Sequence, residues 1–339
     1  MALQRCEMSM EQDGDAEDPR GMSEERVWNE PLISVVIPTY RRPGTLRVAV
    51  ESILAQTYER LELIVVSDGP DVATAEVMRE MIAEDARVRY HELEANSGPA
   101  EARNIGVRMT TGEWVGFLDD DDEWLPKKLE LQVAAMQPED VERKVMISCR
   151  CIYRHGGRED VWPLRPIGEG EGLGEFLMLR PGMLQRPGVM AIHTLLVPRG
   201  VLEASPLMTE KDHEDWAWML DAWNRVGARV RFVWEPLVVY NIVMDGISRS
   251  RRINWEESLE FADKYKEWIG RRGYNSFLAT KVAMKAKRGK DRRGLWKITK
   301  RVMGNGPGWL DGLFLFGMWV LPDAVVYRAW KKSLEAGKK

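Results

Sequence analysis

From residue 32 onward the apolar and polar positions alternate between two kinds of pattern. The clearest strands are expected at 33–38, 61–67, 87–92 and 114–118, the third of these less apolar than the others. Between them, 44–57, 72–83 and 98–109 carry apolar residues at helical spacing and open or close on Gly, Pro or Asn, which predicts helices. This alternation gives an α/β fold: a Rossmann-like, mostly parallel sheet flanked by helices. Ligands of such sheets lie beyond the carboxyl ends of the strands. Thr39, Tyr40 and Arg42, then Asp68, then Asn96 and Ser97, then Asp119 to Asp122 are therefore expected on one polar rim.

Past Pro126 the alternation loosens. A helix is expected at 127–136, a strand around Cys149, a Gly/Pro-rich connection over 156–174, a strand near 189–197, a helix at 213–226, and strands at 230–234 and 237–243. Beyond Arg252 the pattern turns helical and basic. With a boundary near Ser250, the chain divides into a disordered leader (1–30), an α/β unit (31–250, halves 31–125 and 126–250) and a helical C-terminal extension (251–339).

Hydrophobic residues at 44% and charged residues at 30% describe an ordinary globular chain, and a net charge of −4 gives no basic excess of the kind that marks a nucleic-acid partner. Charge is segregated, however: residues 281–301 hold ten Lys or Arg against Asp291. That block reads either as a surface for an anionic partner or as a solvated helix face. After it, 312–321 is the most apolar run in the chain, too short for the roughly twenty residues that span a bilayer. Together with Arg328, Trp330, Lys331 and Lys332, it suits an interfacial anchor giving peripheral membrane contact through 281–332. The competing reading is a helical hairpin docked on the rest of the chain or on a second copy. Three cysteines without framework spacing (Cys6, Cys149, Cys151) and the lack of an apolar h-region before Pro31 point to a reducing, cytoplasmic setting, extending to the inner face of the membrane if the tail is an anchor.

Asp119-Asp120-Asp121-Asp122 follows an apolar strand directly. Like charges so placed repel, and each loses solvation at a strand end. A hard divalent cation, Mg²⁺ or Mn²⁺, would relieve both, whereas an exposed acidic turn capping the next helix would need none.

The segments Ile33-Ser34-Val35-Val36-Ile37-Pro38-Thr39-Tyr40-Arg41-Arg42, Leu61 to Gly69, Asn96-Ser97-Gly98 through Asn104, and Gly112-Glu113-Trp114-Val115-Gly116-Phe117-Leu118 with the four aspartates resemble, in order and spacing, glycosyltransferase family 2. The resemblance covers about 32–245. It implies a GT-A fold, with 31–125 binding the nucleotide and 126–250 the acceptor, and an inverting, metal-dependent transfer from a nucleotide-diphosphate sugar, usually a UDP-sugar, to a hydroxyl of a glycan, lipid-linked or protein acceptor. It implies that Pro38, Thr39, Tyr40 and Arg42 line the nucleotide pocket and that Asp68 meets the base. Asp119 and Asp121 match the Asp-x-Asp motif, with Asp121 on Mn²⁺ or Mg²⁺ and Asp119 and Asp120 sharing the ribose and diphosphate, while Asp122 serves the following helix.

Ser67 and Pro70 depart from the family's usual turn. No histidine follows His213, so the place of a C-terminal histidine ligand falls to Asp245 or water. His213-Glu214-Asp215-Trp216 resembles the motif whose aspartate is the general base, here Asp215; Glu214 would orient it or touch the acceptor, and His193 is expected on the acceptor side. The cationic run 248–252 reads as a loop over the diphosphate or as a linker. A degenerate nucleotide-sugar-binding scaffold and a nucleotidyltransferase are the alternatives, the latter without the Gly-rich, Lys-containing loop that it needs at the first strand.

Overall fold

A computed structural model describes residues 30–183, 185–207, 210, 213–242 and 254–326. The readings that rest on the leader, Cys6, Asp245, the 248–252 run, the boundary near Ser250 and the tail from Arg328 lie outside the described residues.

The early apolar runs form β1 (Ile33–Thr39), β2 (Leu61–Ser67), β3 (Val88–Glu92) and β4 (Trp114–Phe117). All seven residues of β1 are buried, because it pairs in parallel with β2 on one side and β4 on the other and is covered on both faces. The connecting helices are α1 (Pro43–Leu54), α2 (Val72–Glu84) and α3 (Pro99–Met109). Proline opens α1 and α3, where its fixed φ suits the first turn and its missing N–H costs nothing. Asp71 caps α2 by accepting from the Thr74 N–H at 3.2 Å. A Cβ at Gly106 would come within 2.3 Å of Val36, so glycine lets α3 lie directly on β1.

The second half contributes β5 (Glu123–Trp124), α4 (Lys128–Ala134), β6 (Val145–His155), β7 (Arg158–Trp162), α5 (Leu173–Met178), β8 (Leu196–Pro198), α6 (Arg199–Ala204), α7 (Glu214–Asp221) and β9 (Arg229–Asn241). The sheet order is β3-β2-β1-β4-β8-β6-β9-β5, with β7 paired to β6. Parallel pairing holds among β1 to β4 and between β6 and β9, while β5, β7 and β8 run antiparallel to their neighbours.

Three local expectations are corrected here. The strand expected near 189–197 is a short 3₁₀ turn, Ile192–Thr194, followed by β8; the Thr194 hydroxyl donates to the Ala191 carbonyl at 2.7 Å and closes that turn. The strands expected at 230–234 and 237–243 are one strand, β9, whose register with β6 breaks between Cys149 and Cys151. Pro236 sits at that break, where a residue without an N–H is tolerated. The Gly/Pro-rich connection holds β7, reached through a turn at Gly156 and Gly157, both at positive φ.

After residue 254 the described chain is helical: α8 (Trp255–Lys264), α9 (Lys266–Ile269), α10 (Arg271–Phe277), α11 (Ala283–Arg288), α12 (Arg292–Gly304) and α13 (Trp309–Val320). Among the described residues no helix is long and apolar enough to cross a membrane. These helices do not stand apart. Phe261, Phe277, Leu278 and Leu315 share one buried core with Leu177, Leu195 and Trp218, so the extension completes the apolar cover of α5 and α7.

Candidate active site

β1 lies between β2 and β4, so the chain's crossovers leave in opposite directions on either side of the β1/β4 seam. That seam is the topological switch point, where open α/β sheets form their crevice. Thr39 ends β1 and the four aspartates follow β4, and the two meet: the Thr39 hydroxyl donates to Asp120 Oδ2 at 2.7 Å. Arg42, one turn on, reaches Asp120 at 3.2 Å and Asp121 at 2.9 Å. Tyr40 is exposed beside Gly69. Pro38 is buried within β1.

Asp68 is buried at the end of β2 and accepts from the Ser97 N–H at 2.6 Å, the Gly98 N–H at 2.9 Å and Asn96 Nδ2 at 2.9 Å. A carboxylate has about four acceptor sites, so three are spent holding the loop that opens α3 and one remains for a ligand.

The aspartates divide their tasks. Asp119 is ion-paired to Arg103 of α3, a side chain almost wholly buried. Burial opposes ionisation of Asp119, but the Arg103 guanidinium outweighs it and holds the carboxyl below its usual range. Asp120 is pushed up to about 6 by burial, against the pull of Thr39 and Arg42. Burial and the Asp119 charge raise Asp121. Asp122, expected to serve only the following helix, is buried instead: Oδ1 accepts from the Asn241 N–H at 2.9 Å, and burial pushes the group up to about 6. Its Oδ2 lies 3.2 Å from His193 Nδ1, yet has no hydrogen-bond partner of good geometry among the described residues.

One oxygen each of Asp119 and Asp122 and a ring nitrogen of His193 lie within 4.8 Å of one another. His193 comes from the 3₁₀ turn before β8, and its ring stacks on Tyr240 with centroids 5.4 Å apart. Trp124 of β5 donates from Nε1 to the His193 carbonyl at 3.1 Å. That indole fits only because Gly116 of β4 has no side chain; a Cβ there would stand 2.6 Å from the Trp124 ring. Beneath lies a buried lysine. Lys128 Nζ donates to Gln132 Oε1 at 2.6 Å, and Gln132 donates to the Thr194 carbonyl at 3.0 Å. Burial lowers the Lys128 ammonium to about 7, while the Trp124 face 3.5 Å from Nζ favours the charged form.

The second motif arrives from the other side. Arg103 NH1 stands 3.5 Å from Glu214 Oε1, so one guanidinium faces both Asp119 and the start of α7. Asp215, the next residue, accepts from the Ile192 N–H; burial and Asp119 raise its carboxyl against the opposing field of Arg103. His213 turns the other way, at φ 60°, stacking on Trp216 with centroids 5.0 Å apart and meeting Ser258 Oγ of α8 at 3.1 Å.

The model of glycosyl transferase family 2 matches residues 34–190, the stretch that holds β1 to β4 and the acidic run. Over those residues the chain is similar to glycosyl transferase family 2. Among curated relatives, the amylovoran biosynthesis glycosyltransferase AmsB of Erwinia amylovora is 27% identical over 267 residues, 75% of this chain and 84% of that protein. A UDP-Glc:α-D-GlcNAc-diphosphoundecaprenol β-1,3-glucosyltransferase, WfgD of Escherichia coli, is 34% identical over 105 residues, 31% of this chain and 41% of that one. An uncharacterised glycosyltransferase of Rickettsia bellii is 37% identical over 112 residues, 33% of this chain but only 16% of that longer protein. Two solved structures share the fold: Staphylococcus aureus TarS 1–349 in complex with UDP-GlcNAc, TM-score 0.53 at 16% identity over 90% of this chain and 89% of that one, and the Pyrobaculum calidifontis mannosyltransferase PcManGT in complex with GDP-Man and Mn²⁺, TM-score 0.57 at 16% identity over 91% and 86%. The fold is therefore GT-A.

The matched family-2 residues end before His193, Glu214 and Asp215. Contacts through Arg42 and Arg103 link Thr39, Asp119, Asp120, Asp121 and Glu214, with Asp215 next to Glu214 and Asp68 on the adjoining strand end. Sequence reasoning missed Arg103, Asn241 and the contact between His193 and Asp122. Arg103 had a local signal, a charged residue on the buried face of α3; the other two depend on pairings made far along the chain.

Proposed function

We propose that this family 2 glycosyltransferase moves a sugar from a UDP-sugar to a hydroxyl of a glycan acceptor, lipid-linked in the first instance, with inversion at the anomeric carbon. The observation that carries this reading is Arg103. By facing Asp119 and Glu214 together, it holds the donor end and the base motif in one crevice. The activity of the Escherichia coli relative, a UDP-Glc-dependent transferase acting on a diphosphoundecaprenol-linked sugar, supports the choice of donor and acceptor class.

In this reading Asp215 takes the proton from the acceptor hydroxyl as its oxygen bonds to the anomeric carbon. The bond from that carbon to the diphosphate oxygen breaks, and the nucleoside diphosphate leaves with the electron pair. A carboxyl raised by burial is a stronger base than an exposed one, which suits the task. Glu214, held by Arg103, positions Asp215. Thr39, Tyr40, Pro38 and the remaining acceptor site of Asp68 face the nucleotide, and Asp120 with Arg42 faces the ribose and diphosphate.

The acidic run fits a divalent ion such as Mn²⁺ or Mg²⁺. Asp120, Asp121 and Asp122 are all raised by burial, and the buried Asp122 Oδ2, 3.2 Å from His193 Nδ1, has no well-aligned donor among the described residues; a hard cation would relieve both penalties. Asp119, Asp122 and His193 are the group whose ligand atoms lie close together; Asp121, the ligand that the family resemblance implies, is next to it in the chain and pairs with Arg42. When bound, such an ion would neutralise charge on the departing diphosphate. Thermal shifts with UDP-, GDP- and dTDP-sugars, with and without Mn²⁺, test the reading. Stabilisation by a UDP-sugar that grows with Mn²⁺ and is lost in Asp121→Ala is expected; no metal-dependent shift with any of the three overturns it.

A further inference from the structure

We propose that α12 and α13 seat this protein on an anionic phospholipid surface. On α13, Trp309 is 74% exposed, Phe316 63% and Val320 60%, and Leu313 is exposed with them. At 100° per residue these four positions fall on one narrow stripe. The buried positions of the same helix, Asp311, Leu315 and Met318, lie on the opposite side. The helix therefore packs one face on the core and turns a second, wholly apolar face to solvent. Large aromatic side chains exposed in line mark an interaction surface.

The neighbouring helix supplies the charge. α12 buries Gly294, Leu295, Ile298 and Val302 and exposes Arg293, Trp296, Lys297 and Lys300 on the side away from them. Trp319 Nε1 of α13 donates to Thr299 Oγ1 of α12 at 3.0 Å, which fixes the two helices side by side. Between α11, α12 and α13 opens a cavity of about 290 Å³ lined by Lys287, Lys290, Arg292 and Trp319. Two acids also line it: Asp291, which accepts from the Gly294 N–H and from Trp255 Nε1, and Asp323, which pairs with Lys287. Three cations, Lys287, Lys290 and Arg292, thus stand against two carboxylates, and the balance is positive.

Aromatic side chains that enter the acyl boundary, cations beside them, and a basic recess sized for a phosphate headgroup are together what an anionic bilayer surface offers partners for. Charge decides against the obvious alternative. A second copy docked by the same stripe through a two-fold axis would bring its own basic α12 close to this one, and like charges would oppose the contact.

Co-sedimentation of the full chain with vesicles of phosphatidylcholine alone, or of equimolar phosphatidylcholine and phosphatidylglycerol, tests the proposal without donor, metal or turnover. A failure of the transfer reading would leave its result unaffected. Binding to the anionic vesicles only, weakened by salt, is expected. Trp309→Ser with Phe316→Ser, and separately Lys297→Glu with Lys300→Glu, should each weaken it by about tenfold or more while the thermal unfolding midpoint stays put, since all four side chains are exposed. Equal binding by the parent and both variants, no binding by the parent, or a parent dimer that Trp309→Ser with Phe316→Ser turns into a monomer would each overturn it.

Discussion

Arg103 is the side chain on which most of the site's charge depends. It is buried against Asp119 and Glu214, with Asp215 in its field. Arg103→Leu would leave those carboxylates facing one another without a counter-charge, and removing one partner of a buried pair costs about 3–5 kcal/mol. Urea unfolding should show that loss, and Arg103→Lys should recover only part of it because an ammonium lacks the fork that faces two motifs at once. Asp215→Asn asks a narrower question: the amide fills the same space, so donor-induced stabilisation should persist while turnover falls by about a hundredfold or more, the usual scale of a lost general base. Full turnover in that variant would remove Asp215 from the mechanism. Lys128 gives a pH dependence with a definite sign. Its ammonium is lowered by burial to about 7 from an ordinary 10.5, so between those values the unfolded chain binds the extra proton. Its contribution therefore makes stability rise with pH across that window, by at most about 1.4 kcal/mol per pH unit, and costs most below about pH 7. Comparing urea midpoints at neutral and alkaline pH, Lys128→Met should remove that slope.

Among the elements, the first four strands and three helices were legible because each is specified locally. Both-face burial leaves β1 with only Ser34 and Thr39 as polar residues, and the prolines and Asp71 punctuate the helix starts. The strand-end rule then brought Thr39, Asp68 and the aspartates to one rim. What was not legible depends on distant partners. β8 enters antiparallel between β4 and β6 and carries His193 to Asp122, and Asn241 arrives from the end of β9; nothing near His193 or Asn241 in the chain announces either contact. β7 was hidden because its hairpin is built on two glycines, which read locally as an irregular connection. Two glycines also set how closely elements meet. Gly106→Ala would gain helix propensity worth up to about 1 kcal/mol, but its Cβ would stand 2.3 Å from Val36 in the middle of the sheet, and overpacking of that kind costs about 1–3 kcal/mol. A net loss of stability is expected; a gain would mean that α3 can lift from β1.

Over the whole molecule, the C-terminal helices and the α5–α7 region form one body. Phe261, Phe277 and Leu315 are buried with Trp218 of α7, and His213, immediately before Glu214, is wedged against Phe261 and Phe277. A chain ending at residue 253 should therefore expose this core, bind a hydrophobic dye and lose cooperative unfolding; a soluble, cooperatively melting fragment would show that the extension is dispensable. The wedge at His213 also bears on biosynthesis. The ribosome delivers β1 to β4 before the helices that seat His213, so a nascent chain acquires its acidic rim well before it has a firm mount for Asp215. A chain stalled before α8 would then carry the acidic rim while the start of α7 still lacked its packing partners.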